Sequence, residues 1–169
     1  TGGRTCSKDM KDELIKLQKE SVDGIVIDLR FNGGGSLQDV VDMSGLFVDN
    51  GPMVQVKSKG RRPYILEDED GGVIYDGPLI IMVNQYSASA SEIMAAALQD
   101  YNRALIVGSK TTFGKGTVQR FLDLDGIVMD ESVKPLGSVK MTIQKFYRIN
   151  GTTTQLQGVA SDIVLPDVY

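Results

Sequence analysis

Pro78-Leu79-Ile80-Ile81-Met82-Val83-Asn84-Gln85-Tyr86-Ser87-Ala88-Ser89-Ala90-Ser91-Glu92-Ile93-Met94-Ala95-Ala96-Ala97-Leu98-Gln99 is the stretch that decides the fold. Its first part is a continuous apolar run with the character of a buried strand, and its last part reads as a helix. Between them lie small and polar residues, so the strand passes through a tight turn directly into the helix. That geometry holds a serine hydroxyl at a helix N-terminus, where free backbone N–H groups and the helix dipole favour negative charge. Serine also caps helices where nothing reacts. Taken alone, the stretch reads first as a helix cap and second as a reactive turn.

The same order occurs upstream. Gly24-Ile25-Val26-Ile27-Asp28-Leu29-Arg30 has the near-continuous apolar run of a buried strand. It ends at Phe31-Asn32-Gly33-Gly34-Gly35-Ser36, and Leu37 to Phe47 follows as a helix with Ser36 as its candidate cap. Strand, small-residue turn and helix, met twice, make an α/β pattern. No linker divides the chain, so residues 1–169 are expected to form a single domain. A leading segment, 1–22, carries Met10, Leu14, Ile15 and Leu17 among charges and predicts an amphipathic helix over Ser7 to Ser21. Strands are expected at Met53 to Lys59, Tyr64 to Glu67, Ala104 to Gly108, Thr117 to Leu124 and Ser138 to Ile149. Asp68 to Gly77 reads as an acidic, glycine-rich loop, and a tail with Ile163-Val164-Leu165 closes the chain.

Composition narrows the chemistry. The 169 residues are 41% hydrophobic and 24% charged, as in an ordinary globular protein with a full core. A net charge of −4 with no basic stripe argues against nucleic acid as a partner. Cys6 is the one cysteine, so there is no intrachain disulfide and no cysteine metal cage. The chain has no histidine, which removes the Ser–His–Asp and Cys–His catalytic sets and most zinc sites. No metal and no cofactor is expected.

Any activated hydroxyl must therefore use another base. Lys115, between Gly114 and Gly116, is either an exposed loop lysine or a buried one. A lysine buried beside a serine loses its charge and serves as general base, because desolvation lowers its pKa from about 10.4 by several units. Gln119 lies four residues on, and an even offset along a strand puts both side chains on one face. A neutral amide there orients the amine without stabilising its charged form. Gly33-Gly34-Gly35 is either a flexible turn or a backbone nest that approaches a ligand closely. Gly114-Lys115-Gly116-Thr117 is not a phosphate-binding loop, since Ser109 stands where its first glycine belongs and no helix follows.

Three ordered motifs now carry a resemblance: Asp28 to Gly35, Ser87 to Glu92 and Thr112 to Gln119. From about Gly24 to Asp167 the chain resembles the C-terminal processing (tail-specific) serine proteases. The resemblance implies the ClpP/crotonase-like α/β fold of stacked β-β-α units. It makes Ser89 the nucleophile, Lys115 the general base and Gln119 its orienting partner. It puts the oxyanion hole at the backbone N–H groups of Gly34 and Ala90. Gly35, Glu92 and Asp100 match supporting positions, and the alternative for the two acids is a solvated helix-face charge. The spacing from Ser89 to Lys115 is one residue longer than the family pattern, with the extra residue in Ser109 to Thr112. Family members carry a PDZ domain, a lid and flanking helical regions upstream, so the chain reads as an excised protease core.

The expected function is thus a serine endopeptidase with a Ser–Lys dyad, cleaving proteins near apolar, exposed C-terminal tails through an acyl-enzyme. Its partners are protein or peptide substrates, and the resemblance implies a bacterial periplasm or cell-envelope location, with no signal peptide in this chain. One rival is a catalytically silent peptide-binding module of the same fold. Another is an acyl-CoA enzyme of that fold class, which explains neither Lys115 nor Gln119.

Overall fold

The computed structural model describes residues 5–69 and 71–166. In chain order the elements are α1 (Cys6–Lys19), β1 (Ile25–Asp28), α2 (Leu37–Gly45), β2 (Gly51–Ser58), β3 (Tyr64–Asp68), β4 (Leu79–Val83) and α3 (Ala90–Asp100). There follow β5 (Leu105–Gly108), β6 (Thr117–Asp123), a single 3-10 turn at Glu131–Val133, β7 (Ser138–Tyr147) and β8 (Ile163–Val164). The strands form two four-stranded sheets. One is parallel, ordered β1-β4-β5-β8, and the other antiparallel, ordered β3-β2-β7-β6. The expected α/β class and single domain are what the chain adopts.

α3 explains the arrangement. Every residue from Ala90 to Leu98 is buried, including Ser91 and Glu92. A helix buried on all sides needs a partner on each, and α3 packs on β5 of the parallel sheet, on β2 of the antiparallel sheet and on α2. Ala95, Ala96 and Ala97 keep its contacts close, while Ile93, Met94 and Leu98 each contribute roughly 1.5–3 kcal/mol of burial. The parallel sheet departs from expectation in one respect. β4 alternates, with Leu79, Ile81 and Val83 buried but Ile80 and Met82 half-buried, and Val26 of β1 is 56% exposed. The apolar runs of β1 and β4 therefore belong to a sheet with one fully covered face.

Near the N-terminus, α1 starts at a Thr5 cap whose hydroxyl accepts from the Lys8 N–H at 3.3 Å. Its first turn is held by another helix: the Asp39 carboxylate of α2 accepts the N–H groups of Cys6 and Ser7 at 3.0 Å each. Burial pushes the Asp39 carboxyl up, but these N–H groups outweigh it and leave the acid below the usual carboxylate range. The closing Ile163-Val164 segment, read in the sequence only as a tail, is β8, in parallel register with Val107 and Gly108 of β5.

Candidate active site

β1, β4 and β5 are adjacent and parallel, and the glycine loop, the serine turn and the lysine loop follow their respective C-terminal ends. Crevices at these ends are where open α/β sheets bind ligands. Buried Ser87 pins two of the ends together: its hydroxyl donates to the Leu29 carbonyl at 2.7 Å and accepts from the Asn84 N–H at 3.0 Å. The Asn32 carbonyl then accepts the Ala88 N–H and the Ser91 hydroxyl, each at 3.0 Å. The glycine loop is thereby locked against the serine turn.

Ser89 is the N-cap of α3, and its backbone is unlike an ordinary cap. It sits at φ 59°, ψ −115°, whereas Ser36, which caps α2, has the usual extended φ −67°, ψ 132°. A left-handed φ at a non-glycine residue costs of order 1–3 kcal/mol and concentrates at functional turns. The strand-to-helix turn is therefore sharp at Ser89, which stays half-buried.

Gly34, at φ +92°, abuts this turn. A Cβ there would lie 2.6 Å from the Ala88 carbonyl oxygen, 2.7 Å from the Ala90 nitrogen and 2.9 Å from Ser89 Cβ, so only glycine fits. Gly33 and Gly35 have open space at the same test. One glycine of the three is required by packing. The Gly34 N–H donates to the Asn32 side-chain oxygen at 2.9 Å.

Glu92 joins the serine turn to the lysine loop. Its carboxylate is fully buried and accepts four bonds. Oε2 takes the N–H groups of Ser89 and Lys115 at 2.8 Å each, and Oε1 takes the Thr112 hydroxyl at 2.6 Å and the Gly114 N–H at 2.7 Å. Its position in the first turn of α3 adds the helix dipole to these donors. The solvated-charge alternative for Glu92 is overturned. On its other side the lysine loop is packed against residues 153–156. A Cβ on Gly116 would lie 2.7 Å from the Gln155 nitrogen, the Gly116 N–H donates to Gln155 Oε1 at 2.7 Å, and the Leu156 N–H donates to the Gly114 carbonyl at 2.8 Å.

These bonds bring Ser89, Ala90, Gly35, Lys115 and Gln119 onto one cleft of about 240 Å³, floored by Leu37, Ile93, Val118 and Phe146. Ser89 and Lys115 are half-buried, and Gln119 is exposed, donating to the Thr142 hydroxyl at 3.4 Å. The even-offset argument for Lys115 and Gln119 does not describe how they come to line the same cleft. Lys115 precedes β6, and a bulge between Val118 and Gln119 breaks the strand's alternation. The bulge lets Thr117, Val118 and Gln119 line the cleft together.

Asp100 is elsewhere. It ends α3, eleven residues and about 16 Å of helix from the serine turn. There it takes a bidentate bond from Arg148 at 2.6 and 3.0 Å and a third from Asn150 at 3.0 Å. An acid at a helix C-terminus opposes the dipole, and Arg148 offsets it while tying α3 to the segment after β7. Sequence reasoning missed Thr112, Gln155 and Asn32. Only the phasing of Glu92 with the serines, three residues after Ser89, hinted at this network. Among the described residues no three His, Cys, Asp or Glu side chains gather as a metal site.

The chain is similar to known proteins over nearly its full length. It is 49% identical over 162 residues to the tail-specific protease of Haemophilus influenzae, covering 96% of this chain and 23% of that protein. It is 34% identical over 166 residues to the carboxy-terminal processing protease CtpA of Bacillus subtilis, covering 96% of this chain and 33% of that protein. The chain thus spans a quarter to a third of these relatives. Among solved structures it superimposes on the photosystem II D1 C-terminal processing protease with a TM-score of 0.78 at 33% identity, covering 94% of this chain and 39% of that one. The model of the family described as peptidase family S41 matches residues 3–165, and with that coverage the chain belongs to peptidase family S41.

Proposed function

We propose that this chain is the catalytic core of a C-terminal processing serine endopeptidase, with Ser89 as nucleophile and Lys115 as general base. The observation that carries this reading is the buried Glu92 carboxylate, which bonds the backbone of both residues and so sets a strained serine and a loop lysine on one cleft. In the reaction Lys115, as the free amine, takes the Ser89 hydroxyl proton while Oγ attacks the scissile carbonyl. The developing oxyanion is held by the N–H groups of Ala90 and Gly34, each donor worth about 3 kcal/mol. To serve there, the Gly34 N–H must share or leave its bond to Asn32. Collapse breaks the C–N bond, and the lysine ammonium returns the proton to the leaving amine. Water then gives a proton to the same lysine as its oxygen attacks the ester. The lysine passes that proton to Ser89 Oγ as the acyl–Oγ bond breaks, which releases the acid and frees the serine. Gln119 orients the amine from the cleft wall, and a bound peptide excludes the water that still reaches half-buried Lys115.

The substrate is a polypeptide with an apolar C-terminal tail, as the resemblance implies. β6 is an edge strand that begins two residues after Lys115, and an extended tail can pair with it. The envelope location implied by the resemblance is part of this proposal. No helix among the described residues is long and apolar enough to cross a membrane. The test is hydrolysis of peptides ending in apolar residues by the purified chain. Ser89→Ala and Lys115→Ala should each abolish turnover with little change in unfolding midpoint, and unchanged turnover in Ser89→Ala would sink the assignment.

A further inference from the structure

An exposed aromatic ledge flanks the glycine loop and the serine turn, and neither the core nor the proposed chemistry uses it. Phe31, Tyr86 and Phe113 come from the loops after β1, β4 and β5, the same loops that carry the site. They are 72%, 44% and 62% exposed. Phe31 and Tyr86 are stacked, with ring centroids 5.5 Å apart and planes 18° from parallel. Buried Asn84 builds the pair from below, its side-chain oxygen accepting the Phe31 N–H at 3.0 Å and the Tyr86 N–H at 3.1 Å. On the other flank of the same turn, the Phe113 N–H donates to the Ser87 carbonyl at 3.0 Å.

Phe31 also adopts φ 61°. A bulky side chain in the left-handed region is a strained outlier, and Asn or Gly would sit there at less cost. So large an exposed ring adds little burial to offset that strain. Strained backbone and exposed apolar surface at one residue are features that contact sites share.

We propose that Phe31 and Tyr86 form a specificity subsite that stacks on an apolar or aromatic side chain of the polypeptide entering the cleft. This deepens the protease reading and rests on it for the identity of the ligand. The position in the ligand follows from chain geometry. Tyr86 lies three residues before Ser89 and Phe31 three before Gly34, so their Cα atoms are at most about 11 Å from those of the two site residues. An extended peptide advances about 3.3 Å per residue. The ledge therefore meets a side chain about three positions from the scissile bond. Asp28 and Arg30, the charged residues that precede Phe31 in the chain, are bonded to each other at 2.8 Å.

The test measures binding separately from catalysis. In a Ser89→Ala background, fluorescein-labelled apolar-tailed peptides carrying Phe, Leu, Gly or Lys at each position in turn are titrated by anisotropy. The Phe and Leu peptides should bind tightest at one position about three residues from the cleavage point. Phe31→Asn, which suits the left-handed backbone, should weaken those two by about three- to tenfold, leave the Gly peptide unchanged and keep or raise the unfolding midpoint. Equal affinity for all four peptides, equal weakening of all four by Phe31→Asn, or preference for Lys would overturn the ledge. Because the assay needs no turnover, an inactive Ser89 enzyme would defeat the protease reading while these titrations still decide the ledge.

Discussion

Removing the Glu92 carboxylate tests the link on which the site depends. In Glu92→Gln the amide keeps one oxygen, and the structure decides where it goes. Placed toward Ser89 and Lys115, the amide nitrogen would face two backbone donors; placed toward Thr112 and Gly114, it faces one hydroxyl and one N–H. The second orientation wins, because a hydroxyl can accept as well as donate. The Gly114 N–H is then left buried and unsatisfied, at about 1–3 kcal/mol. Glu92→Ala strands all four neutral donors, at about 1–3 kcal/mol for each that stays out of reach of water, and so should cost several times as much. Most small domains have about 5–15 kcal/mol in all, so the glutamine variant is the informative one. Urea unfolding at neutral pH reads both. Peptide hydrolysis should fall steeply in Glu92→Ala and far less in Glu92→Gln, which still holds the Ser89 and Lys115 N–H groups. A Glu92→Gln midpoint within about 0.5 kcal/mol of wild type, the range of ordinary surface changes, would refute the reasoning.

Three further perturbations separate packing from chemistry. Gly34→Ala should lose activity and about 1–3 kcal/mol, since its Cβ meets the Ala88–Ala90 backbone at a left-handed φ, while Gly35→Ala, with open space, should fold like wild type in thermal melts. Asp100→Ala should cost about 1–3 kcal/mol, since it leaves the Arg148 guanidinium, 16% exposed, with its bond to the Gln99 side chain alone, yet leave kcat per folded molecule unchanged in active-site-titrated assays. Asp39, held below the usual range in the folded state, contributes stability that is fully present above the unfolded carboxylate value near 3.9 and lost as pH falls through its lower folded pKa. Amide exchange at Cys6 and Ser7 should accelerate below about pH 4 relative to an Asp39→Asn control; matching pH profiles would refute that role.

Much of this architecture is legible in the one-dimensional pattern. The strand–turn–helix stretches, the two alternating strands of the β6–β7 hairpin and the missing histidine follow from residue periodicity and chemical inventory, which need no partner to read. The three motifs carry the family resemblance that points to Ser89, Lys115 and the glycine loop, and the turns that present those residues are set by short-range spacing. Other features rest on contacts between residues far apart in sequence. Glu92 and Asp100 are two acids on one helix, alike in the sequence. Tertiary structure buries the first beneath the lysine loop and gives the second to Arg148, because fold topology alone determines which donors each carboxylate meets. Likewise, a bulge rather than strand alternation brings Gln119 to the cleft, and Ile163-Val164 becomes a strand only because β5 offers it an open edge. Local pattern determined the elements and their order; the burial of α3 between two sheets decided which of their residues work together.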